Sequence, residues 1–179
     1  MNGLIQSKKQ IEKQKTLAEN QKKQDEKFMR AALKQARVSL AAGEIPVGAV
    51  IVKNGEIIAR GSNKKEKKNC AVYHAEINAI ISASKKLGWR LDECEIYVTL
   101  EPCAMCAGAI VSSRIKRVVF GASQPNSGAC GTKADINVLE NGGLNFKTQS
   151  TGGVLENECL GVLREFFYER RKEDSCKNR

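Results

Sequence analysis

No stretch of the sequence approaches the ~20 consecutive apolar residues that span a bilayer. The N-terminus also lacks the apolar segment of a secretory signal. It makes a poor transit peptide, because Glu12, Glu19, Asp25 and Glu26 interrupt the basic residues and no arginine precedes Arg30. These absences argue against a membrane and for a cytoplasmic protein. The seven cysteines are odd in number and come without a secretion signal, so they do not read as a disulfide framework. In a reducing compartment, close-spaced cysteines are more often metal ligands or small buried side chains. Histidine is nearly missing, and His74 is the only one. Acidic residues are scarce beside basic ones, 20 against 30, for a net charge of +10. That excess favours a polyanionic partner, since neutralised phosphates release counterions; solubility alone is the other reading. No internal repeat is visible.

What is present is 179 residues at 41% apolar content, which suits one domain with a sizeable core. Residues 1–26 are rich in Gln, Lys and Asn, which predicts a solvated helix or a disordered extension. The folded domain is expected over 27–179. Phe28, Ala32, Leu33, Ala36 and Leu40 share one helical face, and Gly43 stops that helix. Asn54-Gly55, flanked by extended segments at 47–53 and 56–61, is a strong hairpin signal. A lysine-rich loop follows at 62–69. His74 to Leu87 reads as a helix with Ile77, Ile80 and Ile81 facing inward, and 103–111 as a short, alanine-dense one. Further strands are expected at 96–100, at 117–120 and near 145–148, with a Gly/Ser/Asn loop at 121–131. The last helix runs from about 155 to 171, where Leu155, Cys159, Leu163, Phe166 and Phe167 repeat at three and four. Strands alternating with helices imply a layered α/β domain with helices on both faces of one sheet.

Two short motifs carry chemistry. His74-Ala75-Glu76 and Pro102-Cys103-Ala104-Met105-Cys106 are each weak alone. His-x-Glu arises by chance, and Cys-x-x-Cys also serves redox pairs and structural zinc. Together, each at a helix start after extended chain, they are specific. Cys103 and Cys106 lie three apart, so one helical face carries both sulfurs, and a first turn favours thiolates. His74 can supply a neutral imidazole. Three protein ligands leave one tetrahedral position open, the mark of catalytic rather than structural zinc. A water there loses its proton near neutral pH. Glu76 lies about 200° round the helix from His74 and is assigned as the proton shuttle. A lone histidine is more often packed or superficial; its partners reverse that expectation here. Cys70 offers a rival, because on one face with His74 it would complete a four-ligand structural site. The protein would then be a zinc-stabilised RNA-binding module without activity, and Glu76 would have no role. Cys94, Cys130, Cys159 and Cys176 are given no role.

His-x-Glu followed by Pro-Cys-x-x-Cys is the signature of zinc-dependent nucleobase deaminases. Longer stretches add to it: Glu44-Ile-Pro-Val-Gly-Ala-Val-Ile-Val52, Tyr97-Val-Thr-Leu-Glu-Pro-Cys-Ala-Met-Cys-Ala-Gly-Ala109, Ser113-Arg-Ile115, Arg117-Val-Val-Phe-Gly-Ala122 and Phe166-Phe167. Through them the chain resembles the bacterial tRNA-specific adenosine deaminases over roughly Phe28 to Lys172. The resemblance implies a three-layer α/β/α cytidine-deaminase-like fold with a mixed sheet of about five strands. It implies one Zn2+ per subunit, a homodimer, and a tRNA anticodon stem-loop as partner. The implied reaction turns the wobble adenosine into inosine by hydroxide attack on C6. By the same resemblance Asn63 hydrogen-bonds the flipped base, Glu44 and Pro46 help line its pocket, and Phe167, Arg170 and Arg171 belong to an RNA-contacting final helix. The Ala75 backbone N–H, beside His74, is another candidate base contact. Lys64, Lys65, Lys67 and Lys68 follow Asn63 directly and are expected at the pocket mouth, against phosphates.

Three features depart from the pattern of that family. The N-terminal extension is longer, Ser123-Gln124-Pro125-Asn126 has no charged residue where many members carry them, and Tyr168 stands where a basic residue is common. A small-molecule deaminase of the guanine or cytidine type would share the metal ligands. The basic charge, the lysine-rich loop and the basic final helix argue against a small neutral substrate.

Overall fold

Strand β1 (Gly48–Lys53) sits inside a sheet covered on both faces, so every second side chain enters a different core. Ala49 and Ile51 join one buried cluster, Val50 and Val52 the other. The computed structural model describes residues 2–132, 137–141 and 146–177. In it β2 (Glu56–Ser62), β1, β3 (Cys94–Leu100), β4 (Arg117–Ala122) and β5 (Gln149–Thr151) lie side by side in that order. The first two pairings are antiparallel and the last two parallel, which makes the sheet mixed. Helices α2 (Ala75–Leu87), α3 (Ala104–Ser112) and the one-turn α4 (Val138–Asn141) cover one face. The other face is covered by α1 (Asn2–Ala41) and α5 (Glu156–Lys177). The three-layer α/β/α expectation holds.

The hairpin forms where Asn54-Gly55 places it, with φ of 51° and 78° at the two turn residues. Two positive φ values make the tight turn whose twist matches paired strands. Gly43, at φ 74°, follows the end of α1. Glycine matters most at Gly48 and Gly61. A Cβ on Gly48 would strike the backbone of α1 at Ala32 and Ala36, and one on Gly61 would strike α2 at Ala75 and Ala79. Both helices therefore press on the sheet backbone to backbone.

That close approach corrects the expected inner face of α2. Ala75, Ala79 and Ala83 form its fully buried row, while Ile81 is 45% exposed and Ile77 and Ile80 are half-buried. Small side chains are the only ones that fit under a helix seated this low. Other boundaries shift as well. β4 runs on to Ala122, so Gly121 belongs to a strand and not to the loop. The fifth strand lies at Gln149–Thr151, after the expected 145–148, of which Asn145 lies outside the described residues. α5 continues to Lys177. The extension is helical from Asn2 and continuous with the domain's first helix, the solvated-helix alternative. Its residues 10–24 are exposed. Among the described residues no helix is long and apolar enough to cross a membrane.

Asp25 marks where that helix meets the core. It is buried at 4% exposure and pairs with both terminal guanidinium nitrogens of Arg117 on β4, at 2.8 and 2.7 Å. Gln21 also donates to it, and the buried Tyr97 hydroxyl lies 2.9 Å from it and 2.7 Å from Glu95. Burial raises the Asp25 pKa, but the Arg117, Gln21 and Tyr97 hydrogen bonds outweigh it and hold the carboxyl below its ordinary value. A depressed carboxylate stabilises the fold above its ordinary pKa, and that contribution is lost as pH falls through the lower folded value. Arg117→Ala strands a buried charge and should lower stability by about 3 kcal/mol, read from the urea midpoint. Asp25→Asn should flatten the fall in stability below about pH 4; an unchanged acid limb would remove Asp25 from the account.

Candidate functional site

His74 and Cys103 occupy the same structural position in two different helices. Each is an N-cap in extended conformation, with ψ of 159° for His74 before α2 and 171° for Cys103 before α3. N-cap side chains commonly bend back to bond the helix they start. Neither of these does. They turn instead toward each other across neighbouring helix ends. His74 Nδ1 lies 3.8 Å from Cys103 Sγ and 3.5 Å from Cys106 Sγ. Tetrahedral zinc with Zn–S near 2.3 Å and Zn–N near 2.0 Å needs nitrogen and sulfur about 3.5 Å apart. The donor atoms of the three residues all lie within 4.8 Å of one another. They could hold one ion with one position open. Cys70 is outside the group, since α2 begins at Ala75 and Cys70 lies in the preceding turns. The seven cysteines are free.

The site is electrostatically ready for a cation. The Cys103 thiol is drawn down to about 4, first by its hydrogen bond with Cys106 and then by His74. The Cys106 thiol moves the other way, through the bond to Cys103 and through burial. One thiolate is therefore strongly favoured, and metal uptake releases the second proton. Glu76, in the first turn of α2, is buried at 4% exposure, and desolvation pushes its carboxyl above the ordinary range. A buried acid that holds a proton more tightly than usual, two residues from a metal ligand, is suited to moving protons.

A cleft of about 550 Å³ opens over these groups. His74, Ala75, Glu76 and Cys103 line its floor, and Lys65, Arg164, Phe167 and Arg171 line its rim. Asn63 sits in the wall. Its Nδ2 donates to the Ile45 carbonyl at 3.2 Å, which leaves Oδ1 as an acceptor without a partner. Among the described residues it is the one buried side-chain oxygen or nitrogen with no partner. Such an atom calls for an explanation, and a ligand donor is the simplest. The Ala75 N–H, at the first position of α2, has no acceptor within its helix.

Several expected site residues lie elsewhere. Glu44 and Pro46 do not line the cleft, whereas Ile45 and Val47 do. Glu44 is buried, and its carboxylate accepts the backbone N–H groups of Glu66 at 3.1 Å and Lys67 at 2.7 Å. It fixes the lysine-rich loop instead. Of that loop's cations only Lys65 reaches the cleft. On α5, Leu160, Arg164, Phe167 and Arg171 share the cleft face at intervals of four, three and four, and Arg170 falls off that row and lies over the Phe166 ring. Phe166 is core and Phe167 is 46% exposed. Arg164 escaped the sequence reading, although spacing back from Phe167 and Arg171 points to it. So did Glu101. Its buried carboxylate accepts N–H groups from Gln124, Cys130 and Thr132, tying the uncharged loop at 123–132 against the metal ligands.

Comparison with known proteins decides the family. The family model described as the cytidine and deoxycytidylate deaminase zinc-binding region matches residues 22–122. The chain is 49% identical over 150 residues to a tRNA-specific adenosine deaminase of Bacillus subtilis, covering 83% of this chain and 92% of that protein. This chain belongs to the zinc-binding cytidine and deoxycytidylate deaminase family, among the tRNA-specific adenosine deaminases. A solved structure from work on tRNA:A34 deaminases is 38% identical with a TM-score of 0.72, covering 76% of this chain and 98% of that one. A guanine deaminase from Nitrosomonas europaea is 29% identical with a TM-score of 0.68, covering 79% and 83%. The family binds zinc, and the donor set and spacing at His74, Cys103 and Cys106 fit that ion. Purified protein should contain one zinc per chain by elemental analysis. Cys103→Ala should lose it and Cys70→Ala should keep it; loss of zinc from the Cys70 variant would restore the four-ligand structural site.

Proposed function

We propose that this protein hydrolyses the wobble adenosine of a tRNA anticodon loop to inosine, with Glu76 moving the protons. One observation carries the reading: the catalytic floor opens on a rim of Lys65, Arg164, Phe167 and Arg171. A small neutral base needs no such rim. An RNA loop supplies phosphates for the cations and a splayed base for the aromatic ring. The curated relatives named as tRNA-specific adenosine deaminases support the same substrate. A tRNA substrate suits a cytoplasmic enzyme.

His74, Cys103 and Cys106 hold the zinc, which when bound supplies Lewis acidity and lowers the pKa of a water to about 7. The chain's own groups do the rest. The base enters the cleft, where Asn63 Oδ1 accepts a hydrogen bond from it and the Ala75 N–H donates one. Glu76 takes a proton from the attacking water and delivers it to ring N1. The new bond forms at C6, the C6–N bond breaks, and the amine leaves as ammonia with the second water proton. Burial suits Glu76 to this, because a carboxyl kept from water is a better proton carrier near neutral pH. We read residues 27–179 as the deaminase domain and the preceding turns as an appended arm, tied to the domain where Asp25 pairs with Arg117.

The protein acts as a homodimer in this reading. Ile81 and Met105 are exposed on α2 and α3, and Val72 on the loop before α2, at 45%, 38% and 46%. Exposed apolar side chains on the helices that carry the metal ligands suit a second copy. Sedimentation equilibrium should give twice the chain mass, and Ile81→Asp should shift it toward one.

An anticodon stem-loop with adenosine at the wobble position tests the activity. The zinc-loaded protein should form inosine. Glu76→Gln should lower kcat by roughly 10²- to 10⁴-fold with zinc retained. The guanine deaminase likeness gives the second reading. Turnover of free guanine with no inosine from the stem-loop would favour it and end the first.

A further inference from the structure

Helix α1 buttresses the sheet, yet its outer face carries charges that the chemistry above does not use. Lys23, Lys27, Arg30, Lys34 and Arg37 follow one another at intervals of four, three, four and three. That spacing keeps them on one side of the helix, within about 80° of arc and about 21 Å of axis. All five are exposed, whereas Phe28, Met29, Ala32, Leu33 and Ala36 point into the core. An amphipathic helix always has a solvated face, and charge there is ordinary. A row of one sign is less so: within its length the acids are Asp25, which is buried, and Glu26, which lies about 20° beyond the arc, while Glu19 ends the row one turn before Lys23.

The neighbours of the row leave it positive. Two acids on α5 answer it: Glu158 meets Arg30 at 2.9 Å and Glu165 meets Arg37 at 3.8 Å. Among the described residues Lys23, Lys27 and Lys34 have no ion pair. Arg30, Lys34 and Arg37 line a groove between α1 and α5. Helix α5 separates this groove from the catalytic cleft and lines both, with Glu158, Gly161, Val162 and Glu165 on one side and Leu160, Arg164, Phe167 and Arg171 on the other. Glu165, which Arg37 reaches, is adjacent in the chain to Arg164, which lines the cleft with Phe167 and Arg171. Positive charge thus stands on both sides of α5, at the cleft rim and along α1.

We propose that this row binds the phosphate backbone of the tRNA outside its anticodon stem-loop, holding the body of the substrate while the cleft takes the base. The inference rests on the deaminase reading. Five lysines and arginines in line, with no exposed aromatic ring among them, suit phosphates and carry no base preference. A second basic face across α5 from a cleft that takes RNA favours that polyanion over an acidic protein.

Binding without turnover tests it. Full-length tRNA and its anticodon stem-loop, both with guanosine at the wobble position, are titrated across a range of salt. The variant Lys23→Gln/Lys27→Gln/Lys34→Gln should bind full-length tRNA at least tenfold more weakly. Its slope of log affinity against log salt should shrink by about 2 to 3, near 0.9 for each lost phosphate contact. Binding of the stem-loop should be unchanged. Glu158→Gln/Glu165→Gln frees Arg30 and Arg37, so it should tighten full-length tRNA and steepen the slope, a gain that misfolding cannot mimic. Unchanged binding and slopes in both variants overturn the proposal, and so does an equal loss on the stem-loop. Inosine formation by the parent, scored separately, reports on the deaminase reading alone.

Discussion

Everything at the site depends on two helix starts being held side by side. His74 and Cys103 are caps that do not cap, and their side chains meet only because α2 and α3 begin next to each other. That placement is set by how low α2 sits on the sheet. Gly61 has no Cβ, and Ala75 and Ala79 stand over it. A larger residue at any of the three would lift the helix, and a shift of about 1 Å is enough to spoil a metal site or a catalytic contact. The alanine row is thus as much part of the chemistry as the ligands are.

The cleft walls are held by charges taken out of water. Glu44 and Glu101 are both buried, and neither meets a cation among the described residues. Each is answered by backbone N–H groups, two for Glu44 and three for Glu101. Burying a carboxylate is costly unless it is hydrogen-bonded, and loop backbone that lacks ladder partners needs acceptors. Each problem solves the other. One loop carries Lys65 to the rim and the other carries Gln124 and Pro125, so two hidden carboxylates frame the substrate's entrance.

Much of this could be read in the chain. The hairpin at Asn54-Gly55 is local turn chemistry, and the α1 core face is plain periodicity. The pairing of His74 and Glu76 with Cys103 and Cys106 is legible because residue type and spacing together are rare. What stayed hidden depended on contacts far apart in sequence. The isoleucines of α2 look like a core face until the depth of packing makes alanine the better choice. Glu44 resembles a pocket residue in a motif, but its carboxylate is turned to a loop 22 residues on. Asp25 reads as the tail of a solvated extension, and only Arg117, 92 residues later, makes it core.

The orphan oxygen of Asn63 has a consequence for selection. Nδ2 is committed to Ile45, so Oδ1 cannot trade places with it and answers only to a donor. A base that presents an N–H there relieves an atom otherwise left bare, while one that presents a lone pair adds a second. Leaving a buried acceptor unmatched costs about 1 to 3 kcal/mol, a preference of roughly five- to 150-fold. Under the proposed function, the cleft sorts its guests by the polarity of one edge, a test that shape alone would not set.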